Sequence, residues 1–310
     1  MNLKVYHSVD EFPSIRNPVI TVGTFDGVHH GHQKIITGLI DAGKQQNGES
    51  VILTFFPHPR MVLFPDDNDL KLLNTLNEKI SLLEKLGIDH LIIHPFTKDF
   101  SRMTATEFIR DILVNKLKIK KIVIGYNHQF GRNREGTFEQ LTELSTLHHF
   151  EVEEIPEQDV NNIAVSSTKI REALHQGDIS VANQLLGYEF LLFGKVVKGD
   201  GIGAKLGFPT ANVSVPEDYK IVPSEGIYAV KIFIGQREFM GMMYIGKRPV
   251  VKGKSLVLEV NIFDFNELIY GQTISIKFVG KIRDDIAFDN LDQLKVQMNK
   301  DKINAIKLLK

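Results

Sequence analysis

The chain has 310 residues with no cysteine, 37 basic and 38 acidic residues, and hydrophobic side chains at 43% of its positions. This composition fits a globular protein of about two domains and excludes wholesale disorder. The lack of cysteine excludes disulfides, thiolate nucleophiles, Cys-based zinc sites and iron–sulfur clusters. The balanced charge is not the basic excess of nucleic-acid-binding domains, and no apolar run approaches the ~20 residues of a membrane span. Because the N-terminus also lacks an apolar signal region, we expect a cytoplasmic protein that binds neither nucleic acid nor membrane.

Short apolar strands alternate with helical patterns through the first 186 residues. The patterns predict strands at 19–22, 50–56, 90–94, 121–125 and 150–155, and helices at 31–46, 75–86, 104–117, 138–148, 167–175 and 180–186. Alternation of strands and helices is typical of βαβ units around a parallel sheet whose strands are buried on both faces. We therefore predict a doubly wound α/β domain over residues 1–186.

The pattern changes to successive strands from residue 187 onward. Strands are predicted at 191–197, 226–234, 239–245, 255–263 and 273–279, and a single helix at 288–298. The two-residue loop Gly235-Gln236 has glycine first, as a type II′ hairpin prefers. Runs of strands closed by one helix predict a small antiparallel β-barrel with a C-terminal helix over residues 187–310.

A glycine-rich segment with two histidines follows the first long strand. It reads Gly23-Thr24-Phe25-Asp26-Gly27-Val28-His29-His30-Gly31-His32 and opens a helix. Backbone N–H groups at such a helix start suit a phosphate. His29 and His32 share one helical turn and could stabilise charge on a bridging oxygen during phosphoryl or nucleotidyl transfer. The alternatives are a surface histidine pair, or half of a metal site completed by His58, His94 or carboxylates.

A second segment, 166–171, places hydroxyl groups and an arginine at a helix start. Its sequence is Ser166-Ser167-Thr168-Lys169-Ile170-Arg171. Hydroxyls before a helix cap free N–H groups or donate to phosphate oxygens, and Arg171 can bind the same phosphates. An ordinary helix N-cap is the alternative.

A third segment, 199–212, is rich in glycine and ends in Pro209-Thr210-Ala211-Asn212. Four glycines in nine residues predict a flexible loop between strands, whose N–H groups can surround phosphates. The GK[ST] ending of a Walker A loop is missing. The hydroxyl of Thr210 and the amide oxygen of Asn212 are hard ligands that suit Mg²⁺. A mobile hairpin without a ligand is the alternative.

These segments together resemble one enzyme family. His29-His30-Gly31-His32 looks like the HxGH signature of nucleotidylyltransferases, and more closely like the FMN adenylyltransferase module of bacterial bifunctional riboflavin kinase/FAD synthetases. Segments 54–59, 125–131 and 166–171 resemble further motifs of that module. Segment 207–212 resembles the GxPTAN motif of riboflavin kinases, so the resemblance covers essentially the whole chain in the domain order of the family.

The resemblance implies roles for individual residues. Catalysis would fall to His29, His32 and Glu259. Nucleotide binding would fall to Gly23, Thr24, Phe25, Asn127, Ser166, Ser167, Thr168 and Arg171 in the first domain, and to Gly201, Gly203, Lys205, Pro209, Thr210 and Asn212 in the second. Flavin binding would fall to Phe56, His58, Pro59, Phe130 and Arg283. Thr210 and Asn212 would bind Mg²⁺, with ATP as co-substrate and riboflavin, FMN and FAD as substrates and products.

Three positions depart from the pattern of this family. Ala204, beside Lys205, stands where many relatives have arginine, Tyr244 where asparagine is more common, and Asp285 where glutamate is more common. Two other functions stay open at this point. One is a nucleotidylyltransferase for another phosphorylated substrate, with the barrel as a binding module, and the other is a non-enzymatic flavin carrier. We expect a monomer or a weak homo-oligomer.

Overall fold

The computed structural model describes residues 3–66, 70–126, 129–156, 159–160, 163–199, 203, 206–250 and 253–310. Its packing divides the chain into two compact units, the first formed by Met1–Leu70 with Lys79–Val165 and the second by Lys71–Glu78 with Ser166–Lys310. Packing therefore groups residues 71–78 and residues 166–186, which precede the predicted boundary, with the barrel. The division of activities at residues 186 and 187 stays a prediction.

A six-stranded parallel sheet forms the centre of the first unit, in the order β1-β4-β3-β2-β5-β6. Its strands are β1 Lys4–Tyr6, β2 Val19–Val22, β3 Ser50–Phe56, β4 His90–Pro95, β5 Lys121–Gly125 and β6 Glu151–Ile155. The predicted doubly wound sheet is confirmed. The pattern analysis missed β1, because three residues are too short to show a period.

Helices cover the sheet of the first unit. They are α1 His30–Gln45, α2 Pro59–Leu63, α3 Leu76–Leu86, α4 Ala105–Glu107 with its π-helical continuation Phe108–Lys116, and α5 Phe138–His148. A small hairpin pairs β7 Asp159–Val160 with β8 Ile163–Ala164. The helix predicted at 104–117 forms, but most of it has π-helical hydrogen bonding. Its apolar side chains, such as Phe108 and Ile109, pack with the sheet residues Ile20, Val51 and Ile122 in the core.

Strand β2 lies at the position where the strand order of the sheet reverses. Strands β3, β4 and β1 follow on one side of β2, and β5 and β6 follow on the other. In open α/β sheets, ligands bind at such a topological switch point, beyond the carboxyl ends of the strands. The glycine- and histidine-rich segment begins directly after β2, so it lies at that position.

A closed antiparallel barrel forms the centre of the second unit, in the order β10-β13-β12-β11-β14-β9. Its strands are β9 Phe190–Val197, β10 Ala211–Ser214, β11 Gly226–Ile234, β12 Arg237–Val250, β13 Gly253–Ile262 and β14 Thr273–Arg283. The predicted barrel is confirmed. Gly235 has a φ of 61°, as the first residue of a type II′ turn requires.

Strand β10 corrects one expectation. We assigned 199–212 to a loop, but Ala211 and Asn212 lie in β10, which pairs with both β13 and β9. The four residues Ala211–Ser214 are too few to show an alternation of apolar and polar side chains. Their extended conformation comes from hydrogen bonding to the two neighbouring strands, which no local pattern records.

Among the described residues, the helices α6 Ser167–Gln176, α7 Ile179–Leu186 and α8 Leu291–Leu309 accompany the barrel. Helix α8 begins at Leu291, three residues later than predicted and directly after the N-cap Asn290, and it continues eleven residues beyond the predicted end. The apolar pattern stops after Met298 because Asp301, although buried, takes a position on the packed face. Met298, Ala305 and Ile306 still pack against the barrel in one apolar cluster. In the described part of the chain, no helix combines the length and apolar character needed to cross a membrane.

A buried ion pair joins Lys71–Glu78 to the barrel within the second unit. Lys220 Nζ lies 2.6 Å from Glu78 Oε2, and neither side chain is exposed. The same ammonium donates to the carbonyl oxygens of Leu73 and Leu191, and the backbone N–H of Phe193 donates to Glu78 Oε1. Because the remaining donors and acceptors of both charges are used, this pair can remain in a dry interior.

Candidate functional site

The loop between β2 and α1 has an unusual backbone. Phe25, Gly27 and Val28 have φ values of 46°, 91° and 39°. Left-handed conformations are rare for bulky and β-branched residues and are concentrated at functional sites. Burial stabilises this loop, since Phe25 and Val28 are almost fully enclosed.

The two signature histidines form one stacked pair at the start of α1. His29 is the N-cap, and its Nδ1 accepts a hydrogen bond from the backbone N–H of His32 at 3.3 Å. The imidazole rings stack at 3.7 Å between centroids with 13° between planes, and the ring of Phe25 contacts His32 edge to face. A Cβ on Gly31 would lie 3.3 Å from His29 Cε1, so this glycine leaves space for the pair.

The environment of His32 disfavours the imidazolium form. Burial, followed by the charges of His29 and Lys79, lowers the pKa of His32 well below its ordinary value. His32 is therefore neutral at pH 7. Its Nδ1 is buried and has no hydrogen-bond partner among the described residues. An unpaired buried nitrogen needs an explanation, and a bound ligand is a direct one.

Lys79 on α3 is part of this site, and the sequence analysis missed it. Its Nζ donates to the carbonyl oxygen of Thr24 at 2.7 Å, and Thr54 Oγ1 lies 3.3 Å from the same oxygen. Burial lowers the pKa of Lys79, while the charge of Asp26 acts in the opposite direction. A signal was present in the helical pattern, because Lys79 shares a buried helix face with Leu83.

The predicted flavin-binding residues of the first unit have different surroundings. Phe56 ends β3, His58 is the N-cap of α2 and accepts from the backbone N–H of Arg60, and Pro59 opens that helix. Phe130 is buried in the core, 6.1 Å from the ring of Phe108. Their roles in flavin binding stay predictions. Asn127 lies outside the described residues.

The residues 166–171 belong to the second unit. Ser166 is the N-cap of α6, where its hydroxyl accepts from the backbone N–H of Lys169. Ser167 and Thr168 lie in the first turn, and Arg171 Nε donates to the carbonyl oxygen of Lys71 at 2.7 Å. Capping by Ser166 is thus observed, whereas phosphate binding by Ser167, Thr168 and Arg171 stays a prediction.

A cavity of about 300 Å³ lies at one side of the barrel. This volume is at the lower end of the range for small-molecule sites. Thr210, Glu259, Asn261 and Arg283 are among the residues that line it. Thr210 and Glu259 face each other there, with 3.5 Å between Thr210 Oγ1 and Glu259 Oε2.

The register of the barrel strands places Glu259 and Arg283 on the same side of the sheet. Asn212 pairs with Glu259, Glu259 with Tyr244, Tyr244 with Ile227, and Ile227 with Arg283. Directly opposite residues on neighbouring strands project to the same side of a sheet. The candidate base, one candidate metal ligand and a predicted flavin residue therefore share one row across five strands.

Two glycines and Asn261 shape the backbone around the PTAN residues. Cβ atoms on Gly199 and Gly203 would overlap the Asn212 amide and the Phe208 carbonyl oxygen. Asn261 Nδ2 donates to the carbonyl oxygen of Pro209 at 2.7 Å, a role that the sequence analysis missed. The predicted residues Gly201 and Lys205, and the substituted Ala204, lie outside the described residues.

Arg283 is oriented by a partner that the sequence did not reveal. Its Nε and Nη2 atoms donate to the carboxylate of Asp301 on α8 at 2.8–3.1 Å. Asp301 is 1% exposed, so this paired geometry is shielded from water. The described residues contain no cluster of three or more His, Asp or Glu side chains that could hold a metal ion.

Known families match both parts of the chain. The family model for FAD synthetase matches residues 12–169, and the model for riboflavin kinase matches residues 186–309. The bifunctional riboflavin kinase/FMN adenylyltransferase of Escherichia coli K12 is 35% identical over 96% of this chain and 95% of its own length. The Haemophilus influenzae protein of the same name is 38% identical over 91% of each chain. The chain therefore belongs to the family of bifunctional riboflavin kinase/FMN adenylyltransferases.

A solved structure has the same fold over nearly the whole chain. This Streptococcus pneumoniae protein, described as a macrolide-efflux protein, is 30% identical, with a TM-score of 0.89 and 98% of each chain covered. The family, the enzyme class and the domain order that the motifs predicted are thus confirmed.

Proposed function

We propose that this chain converts riboflavin to FMN in the barrel half and FMN to FAD in the N-terminal half, using one ATP in each step. The observation that carries the proposal is the presence of two different reactive groups in one chain. A stacked histidine pair follows β2, and a carboxylate faces a hydroxyl in the barrel cavity. The family membership supports both activities.

In the kinase step, the ribityl 5′-oxygen of riboflavin attacks the γ-phosphorus of ATP, and the bond to the β-bridging oxygen breaks to release ADP. An alcohol must lose its proton in this reaction, so a base within about 3 Å is needed. Glu259 is the candidate base in the cavity. The proton passes to its carboxylate and then to water.

Mg²⁺ would neutralise the phosphate charge in the kinase step. Thr210 and Asn212 would bind it, and both offer oxygen donors. A site with so few protein oxygens fits Mg²⁺, which usually completes its shell with phosphate oxygens and water. Gly201, Gly203, Lys205 and Pro209 would surround the nucleotide.

In the adenylyl step, a phosphate oxygen of FMN attacks the α-phosphorus of ATP, and pyrophosphate leaves. The phosphate monoester has a second pKa of about 6, so it is already ionised and no base is needed. His29 and His32 would donate hydrogen bonds to the charge that develops on the bridging oxygen. The triphosphate would contact Ser166, Ser167, Thr168 and Arg171, and the remaining nucleotide and flavin contacts would come from Gly23, Thr24, Phe25, Phe56, His58, Pro59, Asn127 and Phe130.

We further propose a cytoplasmic monomer or weak homo-oligomer without nucleic-acid or membrane partners, in line with the net charge of −1. The alternative function, a nucleotidylyltransferase whose barrel only binds a ligand, does not explain why Glu259 and Thr210 lie together in the barrel cavity. The arrangement of this pair in a cavity of ligand size therefore favours two activities.

A time course tests the proposal. Riboflavin, ATP and Mg²⁺ are incubated with the chain, and riboflavin, FMN and FAD are separated by chromatography. We expect FMN to rise first and then to give way to FAD. Glu259→Ala should abolish FMN formation and leave FAD formation from added FMN, and the double variant His29→Ala/His32→Ala should do the opposite.

Matched controls come from the same surroundings. His30→Ala removes the exposed histidine within the same motif, and Glu267→Ala removes an exposed glutamate that pairs with Arg237. Both controls should retain both activities. Loss of both activities in a folded Glu259→Ala variant would contradict the two-site scheme.

A further inference from the structure

Two of the three departures from the family pattern, Tyr244 and Asp285, contact each other. Tyr244 Oη donates a hydrogen bond to Asp285 Oδ2 at 3.0 Å, although 41 residues separate the two in sequence. Both residues line the barrel cavity. The pairing connects strand β12 to the segment that follows β14.

Tyr244 stands between the candidate base and the candidate flavin-binding arginine. In the barrel register it pairs with Glu259 on one side and with Ile227 on the other, and Ile227 pairs with Arg283. Tyr244, Ile282 and Met298 each pack against the buried apolar cluster that includes Ile227 and Ala305. Tyr244 therefore lies in the same row as Glu259, the candidate base, and Arg283, the candidate flavin-binding residue.

The position of the Tyr244 hydroxyl depends on Gly246. A Cβ at Gly246 would overlap Tyr244 Oη and the adjacent ring carbon. The missing side chain thus provides the space in which the hydroxyl reaches Asp285. Gly246 itself is not among the residues that line the cavity.

The segment 284–288 has no helical or strand hydrogen bonding and forms part of the cavity wall. Arg283 binds Asp301 of α8 at its start, and Asp285 binds Tyr244 two residues later. Ile286 and Phe288 follow, and both line the cavity. The segment that carries these apolar groups is thus held by side-chain contacts to two separate elements, α8 and β12.

We propose that Tyr244 and Asp285 form a positioning pair that fixes residues 284–288 as one wall of the flavin subsite and thereby sets the affinity of the kinase half for riboflavin. The proposal rests on the proposed function, since it takes riboflavin as the occupant of this cavity. The pair acts on binding: an ordered wall presents Ile286 and Phe288 to the ligand without an ordering cost at each binding event.

Steady-state kinetics and binding test the pair. In Tyr244→Phe and Asp285→Ala, the KM for riboflavin and its Kd, measured by flavin fluorescence without ATP, should rise about three- to tenfold. The kcat should change less than KM. The double variant should be no worse than the stronger single variant, because both substitutions remove one shared contact.

Two further variants separate positioning from general damage. Gly246→Ala should raise the riboflavin KM by displacing the hydroxyl, although it alters neither partner. Asp285→Asn retains an oxygen acceptor and should bind riboflavin more tightly than Asp285→Ala. A merely structural role would not produce this order. Tyr270→Phe, at an exposed tyrosine away from the cavity, should match the wild type.

The outcomes are distinguishable from failure of the proposed function. Adenylyl transfer to added FMN should be unchanged in every variant and serves as the folding control. Wild-type riboflavin KM and Kd in both Tyr244→Phe and Asp285→Ala, or additive effects in the double variant, would overturn the pair. If the wild type binds riboflavin without phosphorylating it, the kinase proposal fails while the Kd values still decide the positioning proposal. If the wild type does not bind riboflavin, both fail.

Discussion

Each of the two units buries a lysine, and the two lysines differ in how their charge is compensated. Lys220 in the second unit is 4% exposed and pairs directly with the carboxylate of Glu78 and with two carbonyl oxygens. Lys79 in the first unit is 6% exposed and donates to the carbonyl oxygen of Thr24, and burial lowers its pKa. Of these two lysines, only Lys79 lies near a histidine, His32, whose buried Nδ1 has no partner among the described residues.

The number of partners around a buried charge separates a structural role from a functional one. A complete set of partners, as at Lys220, stabilises one packing arrangement and leaves no capacity for a ligand. An incompletely compensated cation near an unpaired polar atom, as at Lys79 and His32, can attract and bind a polyphosphate. The following predictions test this contrast, beginning with the largest expected effect.

Removal of the compensated lysine should mainly affect stability. In Lys220→Met, Glu78 is left buried without its cation, and we expect the free energy of unfolding to fall by about 3–5 kcal/mol. Urea unfolding measures this loss. Glu78→Leu combined with Lys220→Met should recover part of it, because no isolated charge then remains. A loss below about 1 kcal/mol in Lys220→Met would contradict the structural role.

The same reasoning applies to a shortened chain. A fragment of residues 187–310 retains Lys220 but lacks Glu78 and the other residues of Lys71–Glu78 that pack in the second unit. We therefore expect this fragment to be less stable than the barrel within the full chain, and Lys220→Met to cost the fragment much less than it costs the full chain.

Removal of the incompletely compensated lysine should mainly affect adenylyl transfer. In Lys79→Met, we expect the rate of FAD formation from FMN to fall about tenfold to a hundredfold, because a cation near the triphosphate site is lost. The loss of stability should be smaller than in Lys220→Met, since Thr54 can still donate to the Thr24 carbonyl oxygen. Kinase activity of the same variant is the internal control. Unchanged adenylyl transfer would end the functional assignment of Lys79.

The depressed pKa of His32 predicts a dependence of stability on pH. Below about pH 6.5 the unfolded chain takes up a proton at this position that the folded chain does not, so stability falls by up to about 1.4 kcal/mol per pH unit until the folded pKa is reached. Between pH 6.5 and 5.5, the wild type should thus lose about 1 kcal/mol more than His32→Gln. Urea unfolding at each pH measures the difference. His30→Gln, at the exposed neighbour, should retain the wild-type slope.

The smallest effect is expected at a partly exposed lysine. Lys231 lies 2.6 Å from Glu189, with side chains 30% and 28% exposed. Because water solvates both charges, we expect Lys231→Met to change the free energy of unfolding by at most about 1 kcal/mol. A loss as large as that of Lys220→Met would show that burial does not account for the contrast.

Local patterns predicted most elements of both units. Apolar runs located β2, β3, β5 and β11 with their observed ends, since each strand is buried and bounded by turn residues. The pattern analysis was wrong where another part of the chain determines the conformation, as in β10, or where a buried polar residue interrupts the period, as at Asp301 in α8.

The candidate sites divide in the same way. His29, His32 and Thr210 were selected because their motifs are contiguous segments that carry their own chemistry, whereas Glu259 was selected because the family resemblance places a catalytic glutamate at that position. Lys79, Asn261 and Asp301 were missed, because a lysine in a helix or an acid near a C-terminus is usually a solvated surface residue. Lys79 lies 55 residues from its partner Thr24, Asn261 lies 52 residues from Pro209, and Asp301 lies 18 residues from Arg283.

The alternation of elements, the two kinds of unit and the reactive segments could be predicted from the sequence, because they depend on neighbouring residues and short periods. The fold was needed to show that β2 lies at the switch point of the sheet, that Glu259, Tyr244 and Arg283 share one row of the barrel, and that Lys220 meets Glu78. The physical reason is that strand order, register and burial arise from contacts between distant segments. Whether a polar side chain is solvated, paired or left for a ligand depends on those contacts.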